Sequence, residues 1–119
     1  TGKIINGGPM MGKAITSLEV PVVKGSSGIL LMKNEESKRG VPQTCIRCSK
    51  CTLACPMGLE PFLLAKLAKL SLHERAEKEK IMDCIECGSC QFTCPSNLPL
   101  LDFLRLGKNK VGQLIRSRK

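Results

Sequence analysis

The sequence has no tryptophan and no tyrosine, only three phenylalanines, and a single histidine. A packed interior must therefore be aliphatic, and there is no aromatic platform on which nucleic-acid bases would stack. Long apolar runs are missing too. Stretches such as Ile29-Leu30-Leu31-Met32 fall far short of the ~20 residues a membrane-spanning helix needs. Thr1 to Met10 shows no apolar segment behind a basic start, so no secretory signal is recognisable. Gly7-Gly8-x3-Gly12 is not a phosphate loop, because Ala14 follows Lys13 where a Ser or Thr is required. No nucleophile–base pair or site-spaced pair of carboxylates is found, so catalysis at a substrate is not evident. The missing initiator Met and abrupt beginning read as a piece of something longer. At 119 residues the piece has room for one ordinary domain.

Cysteine is what the chain has in plenty, with eight in two runs. The first is Cys45-Ile-Arg-Cys48-Ser-Lys-Cys51-Thr-Leu-Ala-Cys55-Pro56, and the second Cys84-Ile-Glu-Cys87-Gly-Ser-Cys90-Gln-Phe-Thr-Cys94-Pro95. Each follows C-x2-C-x2-C-x3-C-P, the pattern of bacterial-type [4Fe–4S] sites. The step from Cys45 to Cys84 recurs from Cys48 to Cys87, Cys51 to Cys90 and Cys55 to Cys94, so the runs form an internal repeat. Three cysteines two residues apart wrap a loop around one corner of a cubane, and the fourth reaches the neighbouring cluster. The expected ligand sets are thus Cys45, Cys48, Cys51 and Cys94 for cluster one, and Cys84, Cys87, Cys90 and Cys55 for cluster two. The prolines direct the chain away after each fourth cysteine.

Zinc is the main rival, since paired C-x2-C knuckles also build all-thiolate zinc sites. Such knuckles come as separated pairs rather than runs of three ending in x3-Cys-Pro, which favours iron–sulfur. Disulfides fit less well, because adjacent C-x2-C pairs make poor structural bridges and no secretory signal is seen.

Along the chain, Gly7 to Gly12 reads as a loop, and Val20–Val23 and Ile29–Met32 read as short strands around the Gly25–Gly28 turn. Asn34 to Gly40 is a polar connector with a boundary in it. Pro61 opens a helix whose apolar stripe is expected at Leu63, Leu67 and Leu70, beside Leu64 and Ala68, with Lys66, Lys69 and His73 facing water. A second short helix runs from Leu72 or His73 to Met82. A third starts near Leu100, with Leu101, Leu104, Val111, Leu114 and Ile115 on its stripe, weakened by Gly107 and Gly112 at about 1 kcal/mol each. The expected fold is mainly α: a short β/loop segment over residues 1–40, then a helical two-cluster domain over 41–119. That cysteine half is too small to be stable on burial alone, so its folding should depend on metal binding.

The formal charge is +9, or roughly +5 once two clusters of about −2 each are counted. The excess gathers in residues 101–119, where Arg105, Lys108, Lys110, Arg116, Arg118 and Lys119 face only Asp102. A solvated tail, steering of an acidic redox partner, or attraction to anionic lipid or nucleic acid would each explain it. Nucleic acid fits least, for want of a reading module. Arg47 and Glu86 hold matching places in the two runs and would tune the field of each cluster differently.

Gly7-Gly8-Pro9-Met10-Met11-Gly12, Pro21-Val22-Val23-Lys24-Gly25-Ser26-Ser27-Gly28-Ile29-Leu30, Cys45-Ile-Arg-Cys48 and Met82-Asp83-Cys84-Ile-Glu-Cys87-Gly-Ser-Cys90 occur in this order. Together they resemble the C-terminal region of the C subunit of the Rnf complex, an electron-transport complex linking ferredoxin and NAD. The resemblance implies an α-helical ferredoxin-like domain over 41–119, with the eight cysteines as cluster ligands, preceded by the end of a β-grasp soluble-ligand-binding region. It implies a peripheral protein on the cytoplasmic face of the cell membrane, without a transmembrane segment of its own. Its partners would be other subunits of the complex and ferredoxin, and electron transfer would be coupled to ion translocation. NADH and FMN would bind a region upstream of these residues, so this stretch alone should not oxidise NADH. A dicluster domain of another flavoprotein reductase, such as a cobalamin reductase, is the nearest alternative, and a metal-stapled nucleic-acid or interaction module the more distant one.

Overall fold

The computed structural model describes residues 2–37 and 40–118. The chain divides into two compact units, Thr1–Gly40 and Val41–Lys119. Between them they contain helices over 43% of the described residues and a three-stranded antiparallel sheet. The mainly α expectation therefore holds only in part: the helices are there, and so is a small three-stranded sheet.

In the first unit, β1 (Lys3–Asn6) is the central strand, with β2 (Lys13–Ile15) and β3 (Ile29–Met32) on either side. Ile5 pairs with Ala14 on one flank and Leu30 on the other, and is the buried apolar residue of this unit. Gly7 to Gly12 makes the hairpin loop between β1 and β2, and the Gly12 N–H donates to the Gly8 carbonyl at 2.8 Å. Ile29–Met32 is a strand, but Val20–Val23 is not. Pro21 has no N–H to give to a ladder, and this stretch is exposed without a partner strand. Where a polar connector was expected, Asn34–Ser37 forms a single helical turn, α1. Lys38 and Arg39 of that connector lie outside the described residues.

The second unit contains helices only, among its described residues. They are α2 (Lys50–Ala54), α3 (Pro61–Lys69), α4 (His73–Lys78), a 3-10 turn (Ile81–Asp83), α5 (Ser89–Thr93) and α6 (Leu100–Ser117). The cysteine repeat runs through this architecture: α5 begins and ends one repeat length after α2, and α6 begins one repeat length after α3. Pro61 occupies the first turn of α3, where its missing N–H costs nothing. The helix ends at Lys69 with Leu70 as its C-cap, and Ser71 follows in the left-handed region at φ 60°, its N–H turning back to the Ala68 carbonyl and the Leu72 N–H to that of Leu67.

The core is aliphatic, built from Leu64, Ala65, Leu67 and Ala68 of α3, Ala76 and Ile81, and Leu100, Leu101, Leu104 and Val111 of α6. The buried stripe of α3 is thus turned one position from the expected one. Leu64 is buried, Leu63 lies half-exposed, and Leu70 at 56% exposure faces water. His73 is half-buried rather than a surface residue. Gly107 marks the closest approach of α3 and α6: a Cβ there would lie 2.8 Å from both the Ala68 Cβ and the Ile81 Cδ1. It keeps two helices in contact, and α6 continues past it to Ser117.

Candidate iron–sulfur centres

Each cysteine run folds as a loop entering a short helix. In the first, Arg47 (φ 54°) and Ser49 (φ 66°) adopt left-handed backbone, and in the second Glu86 (φ 56°) and Gly88 (φ 82°) do so at equivalent places. This winding turns backbone N–H groups toward sulfur. The Arg47 N–H donates to Cys45 Sγ and the Glu86 N–H to Cys84 Sγ, both at 3.4 Å. The short helices α2 and α5 then carry Cys51 and Cys90 inward, the two buried cysteines. After Pro56 and Pro95 the chain turns again at Gly58 (φ 69°) and Asn97 (φ 55°), another matched pair.

Two hollows result. One is lined by Cys45, Cys48, Cys51 and Cys94, with Phe62, Leu98 and Leu100 among its walls. The other is lined by Cys55, Cys84, Cys87 and Cys90, with Leu59, Leu64, Leu101 and Leu104 among its walls. Each brings three cysteines of one run together with the fourth of the other. Hydrogen bonds between distant segments hold Cys94 beside the first run. The Gln43 N–H donates to the Ser96 carbonyl at 2.8 Å, and the hydroxyl of buried Ser96 donates to the Thr44 carbonyl at 2.9 Å. At the second run Lys108 Nζ donates to the Cys84 carbonyl at 2.6 Å. The start of α6 is capped from the second run, since Gln91 Oε1 accepts the Leu101 N–H at 3.0 Å.

The thiols are not equivalent. Burial pushes Cys90 up to about 11, with the neighbouring Cys84, Cys51 and Cys87 adding to the rise. Cys84 is also raised, first by burial and less by the charges of Glu86 and Cys55, against the Glu86 N–H and Lys108. Cys87 is lowered by Ser89, whose Oγ lies 3.4 Å from its Sγ. Cys45 and Cys48 are exposed, so the first hollow is the nearer to water.

These residues fit two iron–sulfur clusters. The donors are thiols, N–H groups point at two of them, and the walls are apolar, which are the levers that hold and tune such clusters.

The ion pairs of the C-terminal helix go beyond what the sequence announces. Glu86 accepts ion pairs from Arg105 Nε at 3.4 Å and Lys108 Nζ at 3.6 Å, and Arg118 pairs with Glu77 at 2.9 Å. Much of the basic C-terminal segment is therefore a helix face engaged with the fold rather than a solvated tail, while Lys119 lies outside the described residues. No sequence signal announces these pairs, because the place equivalent to Glu86 in the first run is held by Arg47. Among the described residues no helix is long and apolar enough to cross a membrane.

Comparison with known proteins matches residues 37–95 to the 4Fe-4S dicluster domain family. The C subunit of the Na(+)-translocating ferredoxin:NAD(+) oxidoreductase complex of Acetobacterium woodii is 44% identical over 110 residues, covering 92% of this chain and 25% of the relative. The C subunit of the ion-translocating oxidoreductase complex of Rhodobacter capsulatus is 45% identical over 117 residues, 98% of this chain and 22% of the relative. The C subunit of the proton-translocating ferredoxin:NAD(+) oxidoreductase complex of Clostridium ljungdahlii is 47% identical over 77 residues, 65% of this chain and 17% of the relative. The chain spans a quarter or less of the length of these relatives.

Proposed function

We propose that this chain, which matches the 4Fe-4S dicluster domain family over residues 37–95 and is 44–45% identical over most of its length to C subunits of ion-translocating oxidoreductase complexes, is the two-cluster electron relay of such a complex. Cys45, Cys48, Cys51 and Cys94 hold one [4Fe–4S] cluster, and Cys84, Cys87, Cys90 and Cys55 hold the other. When bound, the clusters supply one-electron acceptance and release. The reading rests on one observation above all, the sharing of eight cysteines between two hollows as three from one run and one from the other.

The chain's own residues do the rest. The thiols must give up their protons to bind iron, and the Arg47 and Glu86 N–H groups and the Ser89 hydroxyl stabilise the resulting negative sulfurs. Leucine walls keep water off the second hollow, and the exchange of Cys55 and Cys94 ties the two halves into one unit. Cys51 and Cys90, close enough for one to raise the other's proton affinity, form the bridge between the centres. The complex as a whole would pass electrons between ferredoxin and NAD with ion movement across a membrane, this chain sitting peripherally at the cytoplasmic face against other subunits. Nucleotide and flavin chemistry would belong to parts of the complex outside these residues. Electron paramagnetic resonance of the anaerobically reconstituted, reduced protein tests the reading. Signals of two reducible [4Fe–4S] centres are expected, and a colourless protein silent after reduction would refute it.

A further inference from the structure

The repeat allows one half of the domain to be compared with the other at the level of charge. In the second half, Glu86 sits in the cysteine loop and pairs with Arg105 and Lys108 of α6. The equivalent places in the first half are held by Arg47, Lys66 and Lys69. The two helix cations are kept, and the carboxylate between them is replaced by a third cation. Arg47, Lys66 and Lys69 line a groove of about 830 Å³ with Cys45 and the apolar Phe62, Leu98 and Phe103, and no carboxylate is among its walls. Cys45 and Arg47 line this groove and the first hollow alike, so the groove runs up to the hollow's mouth. Lys66 and Lys69 also suit the carbonyl end of α3. Yet Arg105 and Lys108 stand well inside α6, so cations recur at these places where no helix ends.

We propose that this groove docks an acidic redox protein, a surface carboxylate of which takes among Arg47, Lys66 and Lys69 the place that Glu86 fills in the second half. The proposal rests on the first hollow holding a cluster. Three exposed like charges around an apolar floor are complementary to a surface carboxylate, and exposed Cys45 puts the docked protein beside the more accessible centre. One electron leaves the reduced centre and the partner's redox centre gains it, with no bond made or broken.

The test uses the full-length, cluster-loaded chain with a strongly acidic flavodoxin as probe and cationic cytochrome c as counter-probe. Affinity is read by titration calorimetry and one-electron transfer by stopped flow, at low and high salt. Arg47→Glu is the chief variant. Glu86 already adopts this backbone at φ 56°, against 54° for Arg47, so the loop accepts the change. It should weaken flavodoxin binding by about tenfold or more, slow that transfer to match, and flatten its salt dependence. A double variant of the exposed pair, Lys66→Gln with Lys69→Gln, should do the same, while Lys78→Glu on α4 should not. Unchanged flavodoxin affinity in a loaded variant, or equal slowing with cytochrome c, overturns the docking proposal alone. A wild-type chain with no reducible cluster overturns the reading beneath it.

Discussion

Ala68 of α3 and Gly107 of α6 occupy the same place in the two halves of the repeat, and meet each other where the helices cross. Small residues at both positions let the helices come close, and Ile81 packs over the contact, fully buried. Gly107→Ala would gain about 1 kcal/mol of helix propensity but press a methyl to 2.8 Å from two carbons. Overpacking of this kind costs about 1–3 kcal/mol, so a net loss of stability is expected. Gly112→Ala, with only the Met82 Cε at 4.0 Å, should instead stabilise by up to about 1 kcal/mol. Denaturant midpoints of the loaded proteins check the opposite signs.

Exchange of the fourth cysteines gives each variant a distinctive remaining signal. Cys55→Ser should remove the same centre as Cys84→Ser, and Cys94→Ser the same centre as Cys45→Ser. Cys48→Ser or Cys87→Ser should lose one centre outright and leave the other easier to release. Spectra of the reduced variants decide the matter. Cys55→Ser that matches Cys45→Ser would mean each run serves its own cluster.

Glu86→Gln should act on one centre. The ion pairs it would lose are partly exposed, so the stability cost stays within about 1 kcal/mol. Removing a negative charge beside Cys84 favours the reduced form, so the potential of that centre should move in the positive direction. A redox titration following both centres should show one shifted and one unmoved.

Proton affinity sets how the second hollow responds to pH. Cys84 is raised and Cys90 is pushed up to about 11, so at neutral pH both are protonated in the metal-free fold and must release protons on binding iron. Cluster binding there should strengthen as pH rises toward about 11 and weaken as pH falls. The same shift makes the metal-free fold lose stability above about pH 9, where the unfolded chain gives up these protons first. Proton release on reconstitution, measured at several pH values, gives the count.

The centres are more legible in the sequence than the fold around them. The run C-x2-C-x2-C-x3-C-P names its ligands by chemistry, because few other patterns put three thiols around one loop. The strands Lys3–Asn6 and Lys13–Ile15 are silent in it: they are three or four residues long, and the pairing of Lys3–Asn6 to Ile29–Met32 is a long-range contact that no local pattern announces. The α3 stripe is ambiguous because Leu63, Leu64, Leu67 and Leu70 satisfy two helical faces almost equally, and only the packing of α6 chooses between them. Gly107 misleads for a similar reason, since propensity describes a helix alone and the residue serves a contact. Aligning the two halves, with Ala68 opposite Gly107 and Arg47 opposite Glu86, carries that information.

The most direct measurement is chemical analysis of freshly prepared anaerobic protein for iron, acid-labile sulfide and zinc. Two cubanes per chain require about eight iron and about eight sulfide, with zinc absent. Stoichiometric zinc without sulfide, or thiols oxidised to disulfides without iron, would contradict the relay.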